Sequence, residues 1–304
     1  VNKPLIFEAL QEMLSVKVLT DVSMRKYTTW RIGGNADFLV FPASTDELSV
    51  LLIYLHENEI PWVVIGNGSN ILVGDKGFHG VVIKMGEQFA TTNWRDNQVD
   101  IDAGVLLPTL ALEAAERSLS GLEFAAGIPG SMGGAVRMNA GAYGDTIGQY
   151  VTQIEVVTYT GSKQILTASD ISFAYRNSSL FDVEALVSRV TLSLPRGSRD
   201  ESLSKIRELL QLRSRNQPLE YPSCGSVFRN PPNDHAGRLI EMANLRGMQI
   251  GGAAVSKKHG NFIINIGGAR AKDVVALIEE VQQRVYEYSG VRLETEVKMI
   301  GEFV

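Results

Sequence analysis

Short apolar runs alternate along this chain with segments whose apolar residues recur every three or four positions, the mixed pattern of strands and helices. The opening stretch VNKPLIFEALQEMLS puts Ile6, Leu10, Met13 and Leu14 on one helical face. ADFLVFPAS reads as a strand that turns off at Pro42, and STDELSVLLIYLHEN as a helix with Ser44 or Thr45 as N-cap. PWVVIGNGSN predicts a strand ending in a Gly-Asn-Gly turn, and ILVGDKGFHGVVIKM two further strands around a glycine-rich loop. VDIDAGVLLPTLALEAAERS predicts a strand followed by a helix with Pro108 in its first turn. QIEVVTYTG and LVSRVTLSL read as strands, with the loop-like SFAYRNSSLF between them. A turn at Pro195 to Asp200 then leads into a long charged helix that stops before Pro218. RAKDVVALIEEVQQRVYEYSG is a helix capped by Gly290, and LETEVKMIG alternates as a last strand with Glu294, Glu296 and Lys298 on one face. No internal repeat or low-complexity segment interrupts this order.

Composition narrows the class. The 304 residues suit about two domains, and 44% hydrophobic with 21% charged content is ordinary for a soluble globular chain. A net charge of −5 gives no general attraction for nucleic acid or an anionic membrane, so any anionic ligand needs a local basic cluster. Cys224 is the single cysteine, which rules out an internal disulfide and fits a reducing compartment. No apolar run reaches the ~18 residues of a membrane-spanning helix. The N-terminal stretch lacks the basic start and cleavage site of a secretory signal, so a cytoplasmic location is expected.

Two glycine-rich stretches carry the candidate chemistry. In VVIGNGSNILV, Gly66, Asn67, Gly68, Ser69 and Asn70 follow an apolar strand directly. Successive N–H groups there can form an anion-binding nest; a plain tight turn is the competing reading. A strand follows, where a dinucleotide fingerprint requires a helix, and the lysine of a P-loop is absent. AGIPGSMGGAVRMNAGAYG, Ala126 to Gly144, places Gly133 and Gly134 where a ligand can lie on backbone, with a turn at Pro129 and Gly130. Close helix packing through small residues is the alternative. Together the stretches suggest two walls of one extended ligand.

YTTWRIGG, IGNGSNILV, GIPGSMGGAVRMNAGAYG, FAYRNS, CGSVFRNP, AGRLIE, GMQIGGAAVS and LETEVKMIG occur in this order over nearly the whole chain. In this set the chain resembles the UDP-N-acetylenolpyruvoylglucosamine reductase family, in its shorter subgroup without a tyrosine-bearing insertion. The resemblance implies an α+β architecture: a two-subdomain FAD-binding fold of the vanillyl-alcohol-oxidase (PCMH) type plus a C-terminal α+β substrate domain. The expected blocks are residues 1–90 and 91–198 for the two FAD-binding subdomains and 199–304 for the substrate domain. It implies noncovalent FAD, because none of His56, His79, His235 or His259 lies in a glycine-rich motif. The cofactor contacts implied are Tyr27, Arg31, Gly66 to Asn70 (Gly66, Asn67, Gly68, Ser69, Asn70), Ile128, Pro129, Gly130, Ser131, Gly133, Gly134, Asn139 and Gly141.

The reaction implied is reduction of an enolpyruvyl ether on a UDP-sugar to a lactyl ether in peptidoglycan precursor synthesis, with NADPH as co-substrate. Ser226 matches the family's proton donor; a serine can serve only toward a very strong base such as a carbanionic enolate. Arg176 and Glu296 match the other two catalytic positions, Arg176 opposite developing charge and Glu296 as a donor if protonated. By themselves the three residues read as a turn cap, a surface ion pair and a solvated strand face. Arg229, Asn230 and Lys257 are expected to bind substrate, Lys257 belonging to a basic spot with Lys258 and His259. Cys224 has no histidine near it in sequence and reads as a small buried hydrophobe. No metal is expected, no nucleic acid or membrane partner, and no oligomer is specified, a monomer being compatible. The competing functions are another flavin oxidase or dehydrogenase of the same fold and a non-catalytic nucleotide-binding module.

Overall fold

The computed structural model describes residues 2–303, which divide into two compact, interleaved units. The first comprises residues up to Thr20, Phe38–Asn67 and Gly80–Gln211; the second comprises Asp21–Asp37, Gly68–His79 and the chain from Leu212 onward.

The helices predicted from apolar periodicity form where expected. They are α1 (Lys3–Met13), α2 (Thr45–Glu57), α3 (Leu107–Glu116), α5 (Arg199–Asn216) and α7 (Ala271–Ser289); two short helices, α4 (Met132–Arg137) and α6 (Ala236–Met242), form where none was predicted. Ser44 is the N-cap of α2 and accepts the Glu47 N–H at 3.1 Å. Gly290 ends α7 at φ +71°, the left-handed position that glycine occupies cheaply.

The first unit is built on an antiparallel sheet in the order Lys163–Thr167, Val151–Thr158, Ala185–Ser193, Gln98–Asp102, Thr92–Arg95. Apolar residues of α1, α2 and α3 and of this sheet merge into one core that includes Leu10, Leu51, Leu110, Ile154 and Val190. Asp102, nearly buried in this sheet, accepts both Nε and Nη2 of Arg189 at 3.1 and 3.0 Å. A cavity of about 270 Å³ on the polar side of the sheet is lined by Arg95, Asp100, Glu155 and Arg189 and holds none of the expected site residues.

The second unit packs α6 and α7 around a small antiparallel sheet, Gln249–Ile250, Ala253–Val255, Ile263–Asn265. Its own core includes Trp30, Ile32 and Leu72 with Phe228, Leu277 and Val281. Strand Ile71–Val73 pairs in parallel with Lys298–Ile300. The Trp30 indole donates to the Ile263 carbonyl at 2.8 Å, and Asn265 donates back to the Trp30 carbonyl at 3.0 Å. The consecutive blocks 1–90, 91–198 and 199–304 therefore cut the chain differently from its cores. Residues 92–193 share a core with α1 and α2, while segments 21–37 and 68–79 bury their apolar side chains with C-terminal residues.

Two local expectations change. The alternation of LETEVKMIG yields a strand only at Lys298–Ile300; Glu294 to Glu296 instead run beside residues 227–229. SFAYRNSSLF is not merely loop: Phe173–Ala174 and Asn177–Ser178 pair as a tight hairpin with Arg176 in its turn.

Candidate active site

Strand Trp62–Ile65 delivers the first glycine-rich loop. The Gly66 carbonyl accepts a hydrogen bond from Lys84 Nζ at 2.7 Å. Because the peptide is planar and trans, the Asn67 N–H is turned the opposite way. Gly68 sits at φ +67°, and a Cβ there would collide with the Tyr27 carbonyl, so only glycine fits. Its own carbonyl accepts the Thr29 N–H at 3.0 Å. The N–H groups of Asn67, Gly68, Ser69 and Asn70 donate to no protein acceptor among the described residues. Half-buried successive N–H groups without partners are the feature expected of an anion nest, and they fit a dinucleotide cofactor's diphosphate. Burial lowers the Lys84 pKa, against a smaller opposing pull from Glu87. Lys84 escaped the sequence reading; its signal was a lone lysine ending the apolar strand VVIK.

In the second stretch, the Gly130 N–H closes a turn onto the Ile128 carbonyl at 2.8 Å, around Pro129. The Pro129 carbonyl accepts Asn67 Nδ2 at 2.8 Å, and the missing Cβ of Gly66 faces the Ser131 hydroxyl. The two stretches thus adjoin in the first unit. Neighbouring glycines of α4 divide the two readings of this stretch. A Cβ on Gly133 would lie 2.9 Å from the Ala103 Cβ, so Gly133 serves packing. A Cβ on Gly134 would meet nothing nearer than the Ser131 hydroxyl at 4.0 Å, and Gly134 is exposed. The N–H groups of Met132 and Gly133 are taken by the carbonyls of Val105 and Ala103, at 2.8 and 2.9 Å. Asn139 is buried at φ +44° and its amide serves the protein: Nδ2 donates to Ala174 O at 2.9 Å, and Oδ1 accepts the Gly148 N–H at 3.0 Å. That leaves the Asn139 side chain, expected to touch cofactor, committed to structure.

The same contacts position Arg176. Its hairpin is held by Asn139 at Ala174 and by Ser178 Oγ, which donates to the Arg137 carbonyl at 2.7 Å. Arg176 adopts φ +53° and donates Nη1 to the Gly141 carbonyl at 3.1 Å. A left-handed arginine is uncommon, and such backbone strain concentrates at functional sites. Arg31 is a second case, exposed at φ +57° in the YTTWRIGG loop, with Tyr27 half-buried before it.

In the second unit the structure brings Ser226 and Glu296 onto adjacent segments. The Glu296 N–H donates to the Val227 carbonyl at 2.8 Å, and the Arg229 N–H to the Glu294 carbonyl at 2.9 Å. Asn70 ties the glycine-rich loop to the same place, donating Nδ2 to the Glu296 carbonyl at 3.1 Å. Ser226 and Glu296 are both half-buried, whereas Glu294 and Lys298 are exposed, so Glu296 departs from a plain solvated face. The Arg229 Nε is buried with no hydrogen-bond partner among the described residues, a donor suited to an anionic ligand. Asn230 spends its Oδ1 capping α6 at the Ala236 N–H, 3.1 Å away. Lys257 is exposed and its stem covers Gly247. Cys224 is fully buried, and burial, reinforced by the nearby Glu296 charge, pushes its thiol well above the ordinary range. The described residues contain no cluster of three His, Cys, Asp or Glu able to hold a metal, and no helix long and apolar enough to cross a membrane.

Residues 36–167 match the FAD binding domain model, and residues 217–300 match the C-terminal domain of UDP-N-acetylenolpyruvoylglucosamine reductase. The chain is 46% identical over 280 residues to the UDP-N-acetylenolpyruvoylglucosamine reductase of Heliobacterium modesticaldum, covering 92% of this chain and 89% of that one. It is 44% identical over 301 residues to that of Carboxydothermus hydrogenoformans, covering 99% and 100%. The crystal structure of the Thermus caldophilus reductase superposes with a TM-score of 0.80 at 38% identity, covering 92% of this chain and 98% of that one. With relatives this similar along nearly its full length, the chain belongs to the UDP-N-acetylenolpyruvoylglucosamine reductase family.

Proposed function

We propose that this protein reduces the enolpyruvyl ether of UDP-N-acetylglucosamine to UDP-N-acetylmuramate, using NADPH, noncovalent FAD and a proton from Ser226. The observation that carries the reading is the juxtaposition of the Ser226 and Glu296 segments through the Glu296 N–H to Val227 carbonyl bond, 2.8 Å.

When bound, FAD supplies the hydride that reaches the methylene carbon of the substrate. The protein's own work is then to position the ether, stabilise charge on the neighbouring carboxylate and deliver a proton to the alpha carbon. The nest at Asn67 to Asn70 offers its N–H groups to the cofactor diphosphate, and the open face at Gly134 offers bare backbone. Arg176, preset by its bond to Gly141, offers the cation that developing enolate charge requires. Arg229 offers its buried Nε, without a partner among the described residues, to the anionic substrate; Asn230 follows it in sequence and Lys257 supplies a further cation. Glu296 donates to the enolate when protonated, and Ser226 protonates carbon. A cytoplasmic site of action follows from the substrate.

The test separates the half-reactions of Ser226→Ala. Bleaching of the flavin by NADPH is expected at close to the parental rate, since it needs no proton from Ser226. Reoxidation by the enolpyruvyl substrate should fall by at least ~10²-fold, typical of a lost general acid. Equal slowing of both steps in stopped flow would remove the proton-donor role. Reoxidation faster by oxygen than by the enolpyruvyl sugar would favour an oxidase instead.

A further inference from the structure

The backbone around Ser226 is bracketed from two sides. On one side run Glu294 and Glu296, bonded to Arg229 N–H and Val227 carbonyl as described. On the other side strand Ile263–Asn265 bridges to Ser223, and beside Val227 and Phe228 a single residue, Asn261, does a strand's work. Its backbone carbonyl accepts the Val227 N–H at 2.9 Å. Its side-chain Oδ1 accepts the Phe228 N–H at 2.9 Å, and its Nδ2 donates to the Phe228 carbonyl at 2.8 Å. Asn261 is only 4% exposed, so these bonds are shielded from competing water. All four backbone polar groups of Val227 and Phe228 are thereby satisfied, three of them by Asn261.

The geometry points to Asn261 as a positioning residue for proton delivery: by clamping residues 227 and 228 it sets where the Ser226 hydroxyl stands. Gly225, just before Ser226, is at φ +80° with nothing within 4 Å of its Cβ position; the holds on the N-terminal side are the buried Cys224 and the bonding of Pro222 and Ser223 to strand Ile263–Asn265. On the C-terminal side the clamp begins at the very next residue, Val227. A hydroxyl that must sit at hydrogen-bond range of a carbon is sensitive to small displacements; about 1 Å can cost ~10²-fold in rate. Asn261 touches neither substrate nor cofactor in this role. The inference rests on the proton-donor reading of Ser226.

Asn261→Asp tests it, because a neutral carboxyl has one O–H donor and one acceptor where the amide has its pair, whereas a carboxylate only accepts and opposes the Phe228 carbonyl. Burial raises a carboxyl's pKa, so the switch falls above the usual range. The charged or titratable groups on segments packed against residue 261 are His259, whose Nδ1 accepts the Asn261 N–H at 3.2 Å, Arg229, Glu294 and Glu296, with Arg238 and Glu241 on α6. They are common to variant and parent, so the quantity read is the ratio of variant to parent rate at each pH. The ratio for reoxidation should be near one at low pH and fall about 10-fold or more through a single protonation as pH rises. FAD content and the ratio for flavin reduction by NADPH should stay flat. A flat reoxidation ratio, or loss of FAD and of both half-reactions together, overturns the inference. Ser226→Ala run alongside separates the two claims. A parental reoxidation rate there removes the proton-donor reading and this inference with it; a slow rate with a flat Asn261→Asp ratio removes the inference alone. If Asn261→Asp does not fold, Asn261→Ser, too short to reach both Phe228 groups, gives the same split, and equal slowing of both half-reactions overturns the assignment.

Discussion

Gly133 and Gly134, adjacent in α4, should respond to substitution in opposite ways. At Gly133 a new Cβ lies 2.9 Å from the Ala103 Cβ and 3.4 Å from its carbonyl oxygen, closer than packed carbons tolerate. Both neighbours belong to the core-bearing segment after strand Gln98–Asp102, so they cannot swing aside. Overpacking of this kind costs about 1–3 kcal/mol, so Gly133→Ala should lower the melting temperature of FAD-free protein by several degrees. At Gly134 the backbone is helical and the Cβ site is open, its nearest neighbour 4.0 Å away. Gly134→Ala should then stabilise the FAD-free protein by up to ~1 kcal/mol, the helix-propensity difference. Gly134→Val puts two methyl groups into the open space that the proposed function gives to the cofactor. If overpacking there also costs about 1–3 kcal/mol, FAD affinity falls roughly 5- to 150-fold. Thermal unfolding of FAD-free protein and quenching of FAD fluorescence on titration measure the two effects separately. Unchanged FAD affinity in Gly134→Val would refute the assignment of that open face to the cofactor. Stability loss equal at both positions would refute the packing distinction.

Acid or heat denaturation should release FAD into the supernatant; yellow colour retained by the precipitate would contradict noncovalent binding. Cys224, buried with its thiol pKa raised, should resist thiol reagents until the protein unfolds, and Cys224→Ala should keep both half-reactions. The Asp234 carboxyl is lowered to about 2, chiefly by its hydrogen bond from Arg238, then by the His235 N–H. Its folded pKa lies below the unfolded one, so whatever stability it contributes is present above pH ~4 and lost as pH falls toward 2. The difference in unfolding midpoint between the parent and Asp234→Asn should therefore shrink over that window, and a difference constant from pH 6 to 2 would exclude the linkage.

Local grammar was legible in the chain itself. Ser44 before a run of acids, Pro108 in a first turn, Gly290 after an amphipathic run and the apolar strands around Gly66 all act within a few residues, and each formed as read. The family motifs named Ser226, Arg176 and Glu296 as catalytic candidates. What periodicity could not convey is which distant segment supplies each partner. The alternation of LETEVKMIG is equally a strand or a bracket, and only the bonds from Glu296 N–H to Val227 and from Asn70 to Glu296 decide how far the strand extends. Gly133 and Gly134 are the same letter in the same helix, and the position of Ala103 alone separates packing from open space. Asn139, Lys84 and Asn261 owe their roles to hydrogen bonds with partners 9 to 35 residues away, as in Gly148 N–H, Gly66 O, Phe228 and Ala174 O. The interleaving of the two units has the same origin. Trp30, Ile32 and Leu72 are apolar in any reading of the sequence, but only the folded chain assigns them to the C-terminal core, because burial depends on which surfaces meet and carries no mark in the local pattern.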